Sequence, residues 1–181
     1  VSTSYSMPWL DLAEREAGPY RVDMRGVIVQ PNELVQLAAD GAAVYVSRYG
    51  VDGRFQLQPV GSLGQDAGQS GCVARFGETI CLHAVNYAVG VAAVGGALGW
   101  ATERPLPPNQ TIFMHLGQPG QPPLAQADGD TWRGLLPLAN WPVERLVTEY
   151  RTLPRLPAGD VLTLQIGVYD RETGQRLLTD T

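Results

Sequence analysis

The sequence predicts an all-β protein, an antiparallel β-sandwich of jelly-roll or immunoglobulin-like type with a small α+β N-terminal lead-in. Three observations carry this. Short apolar runs recur at close spacing after residue 70, separated by Pro, Gly and Asp turn residues. Near the C-terminus Leu162, Leu164, Ile166 and Val168 alternate with Thr163, Gln165, Gly167 and Tyr169, the period of a strand with one apolar face. No comparable stretch carries a long helical period.

The elements follow in order. Tyr20–Gln30 alternates Val22 and Met24 with Val27 and Val29, Gly26 serving as a bulge. Pro31-Asn32-Glu33 opens LVQLAAD, whose apolar positions suit two helical turns, the rival reading being two strands joined by an Asp40-Gly41 hairpin turn. AAVYVS at 42–47 reads as a strand, and a Asp52-Gly53 turn leads to a second one, FQLQ. Residues 61–71, GSLGQDAGQSG, hold little that could be buried and read as a linker. The expected division is therefore 1–70, lead-in and linker, and 71–181, sandwich. Strands are expected over Thr79–Tyr87, Val91–Thr102, Gln110–Leu116, Leu124–Ala127, Leu146–Leu153, Val161–Tyr169 and Arg176–Thr179. Leu162 to Val168 should be buried on a central strand. An Asp170-to-Gly174 hairpin turn follows, with Gly174 at positive φ.

Composition narrows the function classes. A 181-residue chain with 44% apolar residues supports an ordinary core. Its net charge of -5 argues against nucleic-acid binding. Every basic side chain is Arg and none is Lys, a mark of codon bias in a GC-rich genome. The apolar stretch 82–101 is long enough for a membrane span, but His83, Asn86 and its Gly/Ala content favour two strands and a turn. The first residues lack a signal-peptide pattern and read as mid-chain or mature export product. Cys72 and Cys81 suit either a hairpin disulfide in an exported protein or two buried thiols.

Residues that could carry chemistry are few. His115, in IFMHL, faces away from Ile112, Met114 and Leu116; a catalytic or ligand role would need a partner carboxylate or second His. Asp128 and Asp130 share a turn and could help hold Ca²⁺, although turn capping explains them with less. Among the aromatics, Trp132 in a loop is the best candidate for an exposed sugar-stacking surface, with Trp141 and Tyr150 as neighbours; core packing is the competing role. No Ser sits in a nucleophile elbow, so no catalytic residue is assigned.

From Phe76-Gly77 through Trp100, Pro105-Leu106, Phe113-Met114-His115-Leu116, Gln126-Ala127-Asp128 and Trp141-Pro142 to Gly167–Leu177, the ordered signals resemble one kind of domain. It is the C-terminal domain of bacterial multi-pass membrane glycosyltransferases, relatives of the protein mannosyltransferases. The Gly/Ala-rich Val91–Gly99 departs from that pattern, where larger alternating residues are usual. The resemblance implies an extracytoplasmic, non-catalytic accessory domain, periplasmic or at the cell surface and tethered through a further segment. Its partner would be a glycan or a membrane-embedded part of the same protein. A free carbohydrate-binding module and a structural subunit of a cell-surface assembly are the alternative functions.

Overall fold

The computed structural model describes residues 31–38, 41, 43–49, 52–67, 71–156 and 162–180. The expected strand over Tyr20–Gln30 lies outside the described residues. The described chain is all-β with one helix, its strands paired antiparallel in two sheets.

Helix α1 (Pro31–Ala38) starts on proline, whose fixed φ and missing N–H suit a first helical position. Leu34 and Val35 pack against the core and Ala38 is buried. Gly41, at φ +79, ends the segment by donating its N–H to the Ala38 carbonyl at 3.1 Å. Strands β1 (Ala43–Tyr49) and β2 (Phe55–Asp66) form an antiparallel hairpin. Then come β3 (Ala74–Phe76), β4 (Ile80–Val89), β5 (Ala93–Thr102), β6 (Gln110–Gly117) and β7 (Ala125–Gln126). The chain closes with β8 (Arg145–Pro154), β9 (Thr163–Asp170) and β10 (Thr179–Asp180). The larger sheet has the order β1-β2-β8-β5-β4-β3-β10 and the smaller β7-β6-β9.

Alternation builds one core from both sheets. Val147 and Leu153 of β8, Leu98 and Trp100 of β5, and Ile80 and Leu82 of β4 join Ile112, Met114 and Val168 of the smaller sheet. Glycines stand on both faces of β5. A Cβ on Gly96 would lie 3.7 Å from Met114 Sδ, and one on Gly99 would lie 3.3 Å from Ala84 Cβ and 3.4 Å from Leu146 Cδ1. Residues 82–101 are thus strand, turn and strand, and among the described residues no helix is long and apolar enough to cross a membrane.

Three expectations need correction. Residues 61–66 are not a linker: they complete β2, which pairs Gly61 with Glu149, Ser62 with Thr148 and Leu63 with Val147. Their small side chains serve close packing, since a Cβ on Gly61 would fall 1.9 Å from the Thr148 carbonyl oxygen. The larger sheet therefore runs across the expected boundary at 70/71, although residues 68–70 themselves lie outside the described residues. Second, β9 is the edge of a three-stranded sheet, not a central strand. Its partner sheet covers it incompletely, so Val168 is fully buried while Leu162, Leu164 and Ile166 are half-buried. Third, of the two cysteine alternatives the disulfide is the one found: Cys72 and Cys81 are bonded, joining the segment before β3 to β4.

The Asp170 turn forms as expected. Asp170 Oδ1 accepts hydrogen bonds from the Glu172 and Thr173 amides at 2.8 and 2.9 Å, and Gly174 takes φ +70. The Thr173 amide bond, helped by the others, holds the Asp170 carboxyl below its ordinary pKa.

Candidate functional site

Beyond β7 the chain keeps pairing with β6. Ala127 exchanges backbone hydrogen bonds with Met114, and the Gly129 amide donates to the Ile112 carbonyl at 3.0 Å. The segment then breaks sharply. Trp132, Arg133 and Gly134 take φ of 54, 59 and 89, three successive residues in left-handed backbone. Only the glycine adopts that region without steric cost, so the turn has to be held by its surroundings. Buried Thr131 supplies one anchor: its Oγ1 donates to the Leu136 carbonyl at 2.5 Å and accepts from Trp141 Nε1 at 3.0 Å. Trp132 supplies the other. It is 1% exposed, and its Nε1 donates to the Thr148 carbonyl at 2.8 Å in the space left by Gly61. With Trp132 drawn inward, Arg133 stands exposed between its two neighbours.

The facing wall is β8, whose inner positions are Val147, Glu149, Arg151 and Leu153. Two ionisable groups there break an otherwise apolar row. Glu149 Oε1 accepts from Trp100 Nε1 at 3.0 Å, and Arg151 Nε lies 2.9 Å from Oε2, close in charge but off the hydrogen-bond line. Burial pushes the Glu149 carboxyl above its ordinary pKa, against the pull of the Arg151 charge. The two terminal nitrogens of Arg151 each donate at 2.7 Å, one to the Ala127 carbonyl and one to that of Gly129. Arg151 therefore ties the segment after β7 to the larger sheet.

Between these walls lies a cleft of about 640 Å³. Asp128, Asp130, Arg133, Arg171, Tyr169 and Tyr150 are among its lining residues. Thr111 also lines it; the residue is 2% exposed and its Oγ1 has no hydrogen-bond partner among the described residues. A buried hydroxyl without a partner is costly, and a bound hydrogen-bonding group would satisfy it.

The sequence-derived candidates divide. Trp132 and Trp141 are buried and use their indole N–H groups internally, so neither presents a stacking surface. Tyr150, at 44% exposure, lines the cleft and keeps an open ring. His115 does have a carboxylate partner, Asp128 Oδ1 at 2.8 Å from Nε2, and Arg176 Nη2 stands 3.5 Å from Nδ1. The Phe113 ring lies against the imidazole with centroids 4.7 Å apart, a packed and oriented histidine beside the cleft. Asp128 and Asp130 do line the cleft, but they are drawn to different partners, His115 and Arg171, and do not converge on a calcium position. Among the described residues no group of three or more His, Cys, Asp or Glu could hold a metal. Sequence reasoning missed Arg133, Glu149, Arg151, Arg171 and Thr111; the Glu-x-Arg pair on an apolar strand face was the available signal.

No family model matches the chain, and neither does any curated protein or solved structure.

Proposed function

We propose that this chain is an extracytoplasmic, non-catalytic binding module associated with a membrane glycosyltransferase-like protein, and that it holds a glycan in the cleft between the 127–134 segment and β8. The observation that carries the reading is a buried Thr111 hydroxyl without a partner among the described residues, in a cleft also lined by Arg133 and two tyrosines. Sugars offer what such a lining lacks. Their hydroxyls both donate and accept, and their C–H faces pack on an aromatic ring. The disulfide supports the extracytoplasmic part of the reading, because such bonds persist in oxidising compartments. The motif order from Phe76 to Leu177 supports the association.

Isothermal titration against a panel of oligosaccharides tests the reading. Weak binding, in the high micromolar to millimolar range, is expected for at least one class, and Tyr150→Ala together with Thr111→Val should weaken it. Absence of heat and of competition across the panel at millimolar ligand would overturn the glycan reading.

A further inference from the structure

We infer that the cleft selects an acidic saccharide, one that carries an oxyanion for the Arg133 guanidinium; this rests on the glycan-binding reading above. The charges of the cleft are accounted for one by one. Asp128 is bonded to His115, Asp130 is paired with Arg171, and Glu149 is paired with Arg151. Arg151 is spent further on the carbonyls of Ala127 and Gly129. Arg133 is what remains: among the cleft's charged residues it alone forms no hydrogen bond or ion pair within the described chain. Asp130 and Glu149 are matched by arginines and Asp128 is held by the His115 imidazole, so the guanidinium left without a partner among the described residues is that of Arg133.

The backbone supports the same assignment. Arg133 sits at φ 59, ψ 40, in a conformation that costs a β-carbon residue free energy, although glycine would fit there without strain. Trp132 and Thr131 lock the turn from inside, so the guanidinium is offered from a fixed backbone rather than from a free loop. A guanidinium presents a planar fork of donors that matches a carboxylate or a sulfate bidentately. Thr111 and the tyrosines would then take the hydroxyls and the apolar face of the same sugar.

The test uses the whole chain and three probes of equal length: a galacturonic acid trimer, a neutral galactose trimer and a sulfated galactose trimer. The charged trimers should bind about tenfold or more tightly than the neutral one, the strength of a hydrogen bond to a charged group. Arg133→Gln should remove that preference, bringing the affinities of charged and neutral trimers together, and Arg133→Lys should restore part of it. Arg133 is exposed, so the variants should fold; an unchanged thermal midpoint verifies this. A preference for one charged trimer over the other identifies the oxyanion as carboxylate or sulfate. Equal affinity for neutral and charged trimers, or a charged-trimer preference that survives Arg133→Gln, would overturn the inference and leave the glycan reading standing. Failure of all three trimers to bind would overturn the inference, and extending that failure to the wider panel would overturn the reading beneath it.

Discussion

Replacing Gly61 by alanine is a one-carbon change that the fold should not tolerate. Gly61 lies in β2, paired with Val44 on one side and Glu149 on the other. The added Cβ would sit 1.9 Å from the Thr148 carbonyl oxygen and 2.3 Å from Trp132 Nε1, well inside contact distance for both. Either the β2–β8 pairing opens or the indole leaves its place. Forcing an extra carbon into a packed region costs about 1–3 kcal/mol. Losing the Trp132–Thr148 hydrogen bond with its groups still buried adds about 1–3 kcal/mol. A destabilisation of about 2–6 kcal/mol is therefore expected, read as a lower urea midpoint by tryptophan fluorescence. Ser62→Ala, the neighbouring half-buried position, is the control and should stay within about 0.5 kcal/mol. If Gly61→Ala fell within that same margin, residues 61–66 would be loosely held chain and the anchoring of the Trp132 turn would be wrong.

Other perturbations probe the remaining supports. Arg151→Met should cost about 3–5 kcal/mol by leaving the Glu149 carboxyl buried without its counter-charge and the Ala127 and Gly129 carbonyls without their donor. Burial raises the Glu149 pKa, so the folded chain binds this proton more readily than the unfolded one. Wild-type stability should accordingly fall as pH rises from the ordinary glutamate value to the raised one, and denaturation series should show that slope flattened in Glu149→Gln. Asp170 has the opposite sign: its pKa is lowered, so its contribution is present above the ordinary aspartate value and lost as pH falls through the lowered one. Asp170→Ala should be less stable than wild type at neutral pH and converge with it in acid. Removing the disulfide as Cys72→Ser/Cys81→Ser frees a loop with a sequence separation of 9 and should cost about 2–3 kcal/mol by chain entropy, measured by calorimetry under non-reducing conditions.

Strands β4 to β9 were legible because their period of two is written locally, in residues that sit next to one another. The Asp170 turn was legible for the same reason, with carboxylate, donor amides and glycine all within five positions. What escaped was set by distance in sequence. Residues 61–66 look like a linker because glycine and serine bury little, yet the missing side chain at Gly61 is what lets Trp132 reach Thr148. Trp132 looked exposed because it lies in a short loop, whereas the acceptor that fixes it is 16 residues away. Arg151 gave no hint of its role, since the carbonyls it holds lie 24 and 22 residues away. The cleft is a tertiary product: its walls come from two sheets, and no local pattern records their meeting.

The central claim, that the cleft receives a glycan, is tested most directly by mapping backbone amide shifts while the ¹⁵N-labelled chain is titrated with the galacturonic acid trimer. Saturable shifts are expected at 111, 128–134, 149–152 and 169–171, with the exposed β4–β5 turn around Val89–Val91 unmoved. Shifts confined to that turn, to the β1 edge or to no residue at all would contradict the account.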